Sequence, residues 1–140
     1  MIHRFASCAC RRLQLRCEGE PSGISMCHCV DCQRRTGSLF GTVAFFERGA
    51  VSILQGASRT FTRDSAAGKP VTFHFCPECG STVFWKPERM PQLIGVAVGS
   101  FAEPSFPQPE QSVWTKNKHP WLDLPIGMRV FAAMPSPRGD

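Results

Sequence analysis

Cysteine thiols are the residues in this sequence that could do chemistry, and seven of the eight fall into three close-spaced groups. The groups are Cys8 with Cys10, Cys27 with Cys29 and Cys32, and Cys76 with Cys79. Close-spaced thiols that recur along one short chain are typical of thiolate metal sites, most often zinc sites. Cys17 stands apart, and we expect it to be a small buried core residue.

Disulfide bonds are the alternative use of eight cysteines. However, the C-x-C and C-x-x-C spacings are too short for ordinary structural disulfides and suit metal-binding turns. The opening residues 1–5 also lack the apolar segment of a secretory signal peptide. We therefore expect metal-bound thiolates in a reducing compartment, with the cytoplasm as the location.

The number of clustered thiols indicates two different sites. A closed structural zinc site has four protein ligands, whereas a catalytic site has three and keeps one position open. The two outer pairs would form a four-thiolate site, and the central three would form a second site that accepts a further ligand. The spacing also leaves open that Cys8 and Cys10 join the central group. A substrate thiol bound at the open position would lose its proton and become nucleophilic near neutral pH.

Two histidines are candidates for roles beside the thiols. His28 lies between two proposed ligands and could complete the second site. Neighbours on an extended turn usually point apart, so we expect a hydrogen-bonded His28 instead. His74 shares a predicted strand face with Cys76 and could support that ligand.

Polar and aromatic residues near the thiols have competing interpretations. Arg34 and Arg35 could bind a carboxylate of an anionic thiol substrate, or form a solvated helix face. Thr36 and Ser38 could offer hydroxyls to the substrate, or cap a turn. For the tryptophans we expect core packing more than substrate contact; they are Trp85, Trp114 and Trp121.

A single domain is expected from the length of 140 residues, with a core at about 3–132 and a frayed tail at 135–140. No segment shows a long 3.6-residue apolar period, and short alternating segments predict a mainly β fold of short antiparallel sheets with zinc knuckles. One short helix is predicted at 30–36. The predicted strands include 11–17, with Leu13, Leu15 and Cys17 on the inner face, and 24–27, 39–46, 71–76, 81–85, 93–98 and 128–132. We also expect a pair of strands at 51–54 and 59–63, joined near Gly56, and an extended segment at 113–116.

The charge pattern limits the possible partners. The net charge of +5 is modest, and no basic stripe interleaved with aromatic residues is present, so we expect no nucleic acid partner. No apolar run approaches the ~18 residues that a membrane span needs. The leading interpretation is therefore a zinc enzyme acting on a small-molecule thiol. The alternative is a non-catalytic zinc module that recruits a protein partner.

The ordered motifs resemble one known family. They are Ser7-Cys8-Ala9-Cys10, Cys27-His28-Cys29-Val30-Asp31-Cys32, Thr36-Gly37-Ser38-Leu39-Phe40-Gly41 and Phe75-Cys76-Pro77-Glu78-Cys79-Gly80-Ser81, followed by Trp114-Thr115-Lys116 and Pro120-Trp121-Leu122. This order is similar to that of the glutathione-dependent formaldehyde-activating enzymes, which include the centromere-protein-V-like proteins. The chain departs from many members by having Arg11 instead of Gly after the second cysteine, and Ser112 instead of His before Trp114.

The resemblance implies a β-tent fold with one structural and one catalytic zinc ion. By this resemblance the structural zinc ligands are Cys8, Cys10, Cys76 and Cys79, and the catalytic zinc ligands are Cys27, Cys29 and Cys32. The implied activity is a carbon–sulfur lyase reaction in the adduct-forming direction, in which formaldehyde and glutathione give S-hydroxymethylglutathione.

Overall fold

The computed structural model describes residues 2–135, and its secondary structure is mainly β, as predicted. The strands are β1 (His3–Ser7), β2 (Gln14–Glu18), β3 (Gly23–Cys27), β4 (Gly41–Glu47), β5 (Val51–Gln55), β6 (Arg59–Asp64), β7 (Pro70–Phe75), β8 (Thr82–Pro87), β9 (Leu93–Ala97), β10 (Gln111–Val113) and β11 (Arg129–Val130). The helix α1 spans Val30–Thr36, and short 3-10 turns lie at Arg48–Ala50, Val98–Phe101 and Thr115–Asn117. Within the described residues no helix is long and apolar enough to cross a membrane.

The described chain forms two compact units. The first contains residues 2–22 and 44–106, and the second contains residues 23–43 and 107–135. The two outer cysteine pairs lie in the first unit, and the central three cysteines lie in the second. The single domain expected for residues 1–140 stays a prediction, and all of its expected tail except Pro135 lies outside the described residues.

In the first unit, β1, β2 and β5 form a small antiparallel sheet in the order β1-β2-β5. Alternate side chains of a strand point to opposite faces, and Leu13, Leu15 and Cys17 are all fully buried. The predicted inner face is therefore confirmed. Strand β1 pairs with β2 up to Ser7, so the chain enters the turn containing Cys8 directly from a paired strand.

The other strands of the first unit run antiparallel in the order β6-β7-β8-β9. Phe73 on β7 lies opposite Trp85 on β8, with ring centroids 5.4 Å apart, and both residues are buried. A register shift between His74 and Phe75 interrupts the alternation just before Cys76. The prediction that His74 and Cys76 share one face of the strand assumed an unbroken alternation, which this shift removes.

The strands predicted at 51–54 and 59–63 exist, but their pairing with each other is wrong. Strand β5 pairs with β2, and β6 pairs with β7. Gly56, between them, has a φ of +85°, and an added Cβ there would collide with the carbonyl oxygen of Arg12. Only glycine permits this close approach, which lies directly after β5, where β5 pairs with β2.

In the second unit, β10 lies between β3 and β11 and is parallel to both. A parallel pair needs a long connection, and more than 80 residues separate β3 from β10 along the chain. The segment predicted as extended at 113–116 is extended only to Val113. Trp114 then adopts a left-handed conformation with φ +58°, and its carbonyl accepts a hydrogen bond from the Asn117 N–H at 3.0 Å, which closes a 3-10 turn.

Candidate metal centre

The two outer cysteine pairs lie on two turns of the first unit that each follow a strand. In the first turn the Arg11 N–H donates to the Cys8 carbonyl at 3.1 Å. In the second turn the Gly80 N–H donates to the Cys76 carbonyl at 2.8 Å. Gly80 has a φ of +78°, a conformation that favours glycine. The two turns bring their four thiols close together.

The four sulfur atoms lie within 4.8 Å of one another; they belong to Cys8, Cys10, Cys76 and Cys79. The Sγ atom of Cys10 is 3.7 Å from that of Cys8 and 3.6 Å from that of Cys76. A tetrahedral zinc ion with Zn–S distances of about 2.3 Å requires sulfur atoms about 3.8 Å apart. The four-cysteine cluster could therefore hold a zinc ion.

Hydrogen-bond donors around Cys8 and Cys79 favour the thiolate form of these two cysteines, whereas the neighbouring thiols raise the pKa of Cys10. The Leu13 N–H donates to Cys8 Sγ at 3.2 Å, and the Ser81 hydroxyl lies 3.3 Å from Cys79 Sγ. The Ser81 hydroxyl, together with the N–H groups of Ser81 and Cys10, lowers the pKa of Cys79 to about 5. An anionic sulfur with donors around it is prepared for a cation, because metal ligands must be deprotonated.

The central cysteines converge at the junction between β3 and α1 in the second unit. The sulfur atoms of Cys27, Cys29 and Cys32 lie within 4.8 Å of one another. Cys29 occupies the position before α1, and its side chain accepts a hydrogen bond from the Cys32 N–H at 3.3 Å. Within the described residues, this cluster has three members, one fewer than a closed tetrahedral site requires.

The negative charge of the central cluster concentrates on its buried member. The thiols of Cys27 and Cys32 donate to Cys29 and, with nearby backbone N–H groups, lower its pKa to about 2. The pKa of Cys27 is raised, chiefly by its contacts with Cys29 and Cys32 and by burial. One thiolate supported by two protonated thiols is the arrangement that a divalent cation would convert into three thiolate ligands.

The comparisons with known proteins bear on both clusters. The family model described as glutathione-dependent formaldehyde-activating enzyme matches residues 3–117, most of the chain and all seven clustered cysteines. The chain belongs to this family. Membership implies an enzyme related to glutathione-dependent formaldehyde activation, and the two clusters could hold metal ions, consistent with zinc.

A solved structure is similar to this family member. It is the crystal structure of a Rhodobacter sphaeroides protein, with a TM-score of 0.54 and 19% sequence identity. The match covers 69% of this chain and 85% of the bacterial chain. At this identity the likeness shows a shared fold. No curated protein matches the sequence.

His28 does not complete the central cluster in this family member. Its side chain is fully buried, its Nε2 atom lies 2.6 Å from the Ser112 hydroxyl, and its ring packs against Phe40 with centroids 5.7 Å apart. Burial lowers the pKa of His28, so the neutral imidazole is favoured. His74, in the first unit, forms a 2.8 Å hydrogen bond with Ser58 and stacks on Phe84.

The polar residues predicted beside the central thiols are two arginines on α1 and two hydroxyl residues at its end. The Cys27 thiol and, to a smaller extent, the charge of Arg35 lower the pKa of Cys32, but the overall shift is upward because Cys29 and burial raise it. Arg34 is exposed on the same helix. Thr36 ends α1, because its hydroxyl donates to the Cys32 carbonyl at 2.9 Å and accepts from the Ser38 N–H at 3.0 Å. Thr36 and Ser38 therefore form a turn cap.

The tryptophans lie in three different environments. Trp85 is a core residue, as expected. Trp114 is half-buried beneath the Lys116 ammonium group, which is 4.9 Å from the ring centroid. Trp121 differs from the expectation, because it is 71% exposed and contacts His119 edge to face. Trp121 therefore contributes little to a core.

Gln33 is a residue near the site that the sequence analysis missed. Its side chain hydrogen-bonds the His28 carbonyl, the Asn117 carbonyl and the His119 ring. His119 was not among the histidines that the sequence analysis singled out. The position of Gln33 directly after Cys32 could have indicated a role at the site. Apart from His28, however, its partners lie more than 80 residues further along the chain, where sequence spacing gives no information.

Proposed function

We propose that this protein joins formaldehyde to the thiol of glutathione to form S-hydroxymethylglutathione, a carbon–sulfur lyase reaction run in the adduct-forming direction. The convergence of only three thiols in a member of this family is the observation that supports the proposal most strongly. The four-cysteine cluster would hold a structural zinc ion. The three-cysteine cluster of Cys27, Cys29 and Cys32 would hold a second zinc ion beside the substrate.

A zinc ion in the three-cysteine cluster would offer its open position to the substrate sulfur and lower the pKa of that thiol. The soft thiolate set suits a sulfur ligand. In the reaction the glutathione sulfur forms a bond to the formaldehyde carbon while the thiol proton passes to solvent. The carbonyl oxygen takes up a proton and becomes the hydroxyl group of the product.

Arg35 is proposed to bind a carboxylate of glutathione beside the cysteines. The space above Gly41 is taken by the guanidinium group, because an added Cβ there would lie 2.6 Å from Arg35 Nη2 and 3.6 Å from Cys32 Cβ. The cation is thus held close to the base of one proposed ligand. A charge-assisted contact of this kind contributes about 1.5–3 kcal/mol, and Arg34 adds a second positive charge on the same helix.

The deciding experiment measures catalysis at equilibrium, because formaldehyde and glutathione also combine without an enzyme. Exchange of labelled formaldehyde between its hydrate and the glutathione adduct can be followed by NMR. The zinc-loaded protein should accelerate the exchange, and Cys29→Ser with one zinc per chain should not. If the protein with two zinc ions leaves the spontaneous rate unchanged, the non-catalytic zinc module is the correct interpretation.

The role of Arg35 has its own test. Arg35→Ala should raise the KM for glutathione about 10- to 100-fold, with a smaller effect on kcat, since the contact contributes about 1.5–3 kcal/mol and about 1.4 kcal/mol corresponds to a factor of ten. Gly41→Ala should act similarly, because its Cβ displaces the guanidinium group. Gly49→Ala, where an added Cβ meets nothing within 4 Å, is the matched control. Equal KM values for all these variants would contradict the role.

A further inference from the structure

The side chain of Gln33 hydrogen-bonds two segments of the second unit, and only one of them carries the proposed zinc ligands. Its Nε2 atom donates to the His28 carbonyl at 2.8 Å and to the Asn117 carbonyl at 3.2 Å. Its Oε1 atom lies 3.1 Å from His119 Nε2. A single half-buried amide therefore contacts the turn that carries the three cysteines and the segment that follows β10.

The orientation of this amide follows from its partners. Both backbone carbonyls are acceptors only, so the amide nitrogen must face them and supply both of its hydrogens. The amide oxygen then faces the imidazole, and His119 must donate from Nε2. This contact selects one tautomer of His119 and fixes the plane of its ring.

Beyond His119 the chain forms a tight loop, residues 118–122, which we call the Trp121 loop. The Lys118 ammonium group donates to the carbonyls of His119 and Leu122 at 3.2 and 2.8 Å and so closes the loop on itself. The His119 ring meets the Trp121 indole edge to face, with centroids 6.3 Å apart and an interplanar angle of 71°. The loop thus holds an exposed indole in a defined position relative to His119.

The amide nitrogen of Gln33 affects the position of Cys29 through its hydrogen bond to the His28 carbonyl. The carbonyl of His28 belongs to the planar peptide group that continues to Cys29. A hydrogen bond that fixes this peptide plane also fixes the direction in which the Cys29 side chain leaves the backbone. Groups that orient metal ligands in this way typically change metal affinity by 10- to 100-fold.

We propose that Gln33 is a positioning residue that couples the three-cysteine cluster to the Trp121 loop. Metal binding at the cysteines and the position of the exposed indole then depend on each other, because both are attached to one amide. The consequence for substrate rests on the proposed function: a thiol that binds at the cluster would be coupled through Gln33 to the position of the Trp121 indole.

The coupling can be measured with zinc alone. Gln33→Leu keeps a side chain of similar size but removes all three hydrogen bonds. It should weaken the second zinc about 10- to 100-fold in competition with a chelator, while the first zinc stays bound as in the wild type. Gln108→Leu, the same change at an exposed loop position, should bind both zinc ions normally.

Tryptophan fluorescence reports on the other end of the coupling. Addition of the second zinc should change the emission of the wild-type protein, and Trp121→Phe should abolish that change. Gln33→Leu should also abolish it, even at zinc concentrations that fill both sites. If Gln33→Leu retains the wild-type zinc affinity and the wild-type fluorescence response, the inference is wrong.

A second variant keeps the test decisive if Gln33→Leu does not fold. His119→Ala leaves the contacts of Gln33 with both carbonyls in place but breaks its link to the indole. It should lose the fluorescence response and also weaken the second zinc, because a coupling between two sites is reciprocal. A wild-type zinc affinity or an unchanged fluorescence response in a folded His119→Ala variant would overturn the coupling. These readouts use no substrate, so they remain valid if the protein fails to accelerate adduct formation.

The contribution of the indole to substrate binding is tested separately. Trp121→Ala should raise the KM for glutathione several-fold more than kcat falls. An unchanged KM in an active variant would separate the indole from substrate binding, whereas absence of activity in the zinc-loaded wild type would overturn the proposed function instead.

Discussion

The four-cysteine and three-cysteine clusters use the same ligand atom but are built in opposite ways. The first joins two turns 66 residues apart in sequence, and two of its thiols are exposed. The second takes its sulfurs from six consecutive residues, with Cys29 buried. Closing a long loop restricts the unfolded chain, whereas closing a local turn restricts it little. The first cluster is therefore suited to hold the fold together, and the second can serve chemistry.

The largest expected effect comes from breaking the four-cysteine cluster. Cys76→Ser should destabilise the protein by at least about 4 kcal/mol, the loop-closure contribution of a cross-link spanning about 66 residues, because metal binding at a structural site is folding free energy. Thermal melting and zinc content measure this loss. Melting at the wild-type temperature would mean that this cluster does not hold the fold.

The matching change in the three-cysteine cluster should separate stability from chemistry. Cys29→Ser should fold, lose one zinc per chain and lose activity, with a change in unfolding free energy of less than about 2 kcal/mol, since it closes only a local turn. Zinc analysis and chemical denaturation provide the measurements. Cys17→Ala, a cysteine change outside both clusters, is the control and should keep both zinc ions. Global unfolding of Cys29→Ser would mean that the three-cysteine cluster also holds the fold together.

Cys17, the cysteine outside both clusters, should make the stability of the protein depend on pH. Burial raises the pKa of Cys17 to about 12 from the ordinary thiol value of 9.0. Above pH 9 the unfolded chain loses this proton while the folded chain keeps it, so stability is present below pH 9 and falls as pH rises toward 12. The loss is about 1.4 kcal/mol per pH unit in that window. Denaturation at several pH values should show this slope, and Cys17→Ala should lack that part of it.

The smallest expected effect concerns the turn between Cys10 and Leu13. Arg11 has a φ of +70°, a left-handed conformation that costs a non-glycine residue about 1–2 kcal/mol. Arg11→Gly should relieve this strain but add freedom to the unfolded chain, for a net stabilisation of about 0.5–1 kcal/mol. A small rise in melting temperature with unchanged zinc content would agree. A decrease would mean that the Arg11 side chain stabilises the turn more than its backbone strains it.

Local patterns predicted much of the fold. The helix at 30–36 and the buried face of Leu13, Leu15 and Cys17 agree with the structure, because both depend on contacts between near neighbours in sequence. The pairing of the strands at 51–54 and 59–63 was wrong, because the residue pattern within a strand does not specify its partner: β5 pairs with β2 and β6 pairs with β7. The conformation of Trp114 was missed for a similar reason, since the turn at 115–117 follows a strand whose partner, β3, is distant in sequence.

The amino-acid sequence alone determined which atoms can bind metal, how closely they are spaced within each group and the family to which they point. Spacing along the chain governs geometry only over a few residues. Which cysteine pairs meet, and which side chains surround them, depends on strand pairing over tens of residues. Tertiary structure alone decided that Cys10 meets Cys76, that His28 turns toward Ser112, and that Gln33 contacts Asn117 and His119.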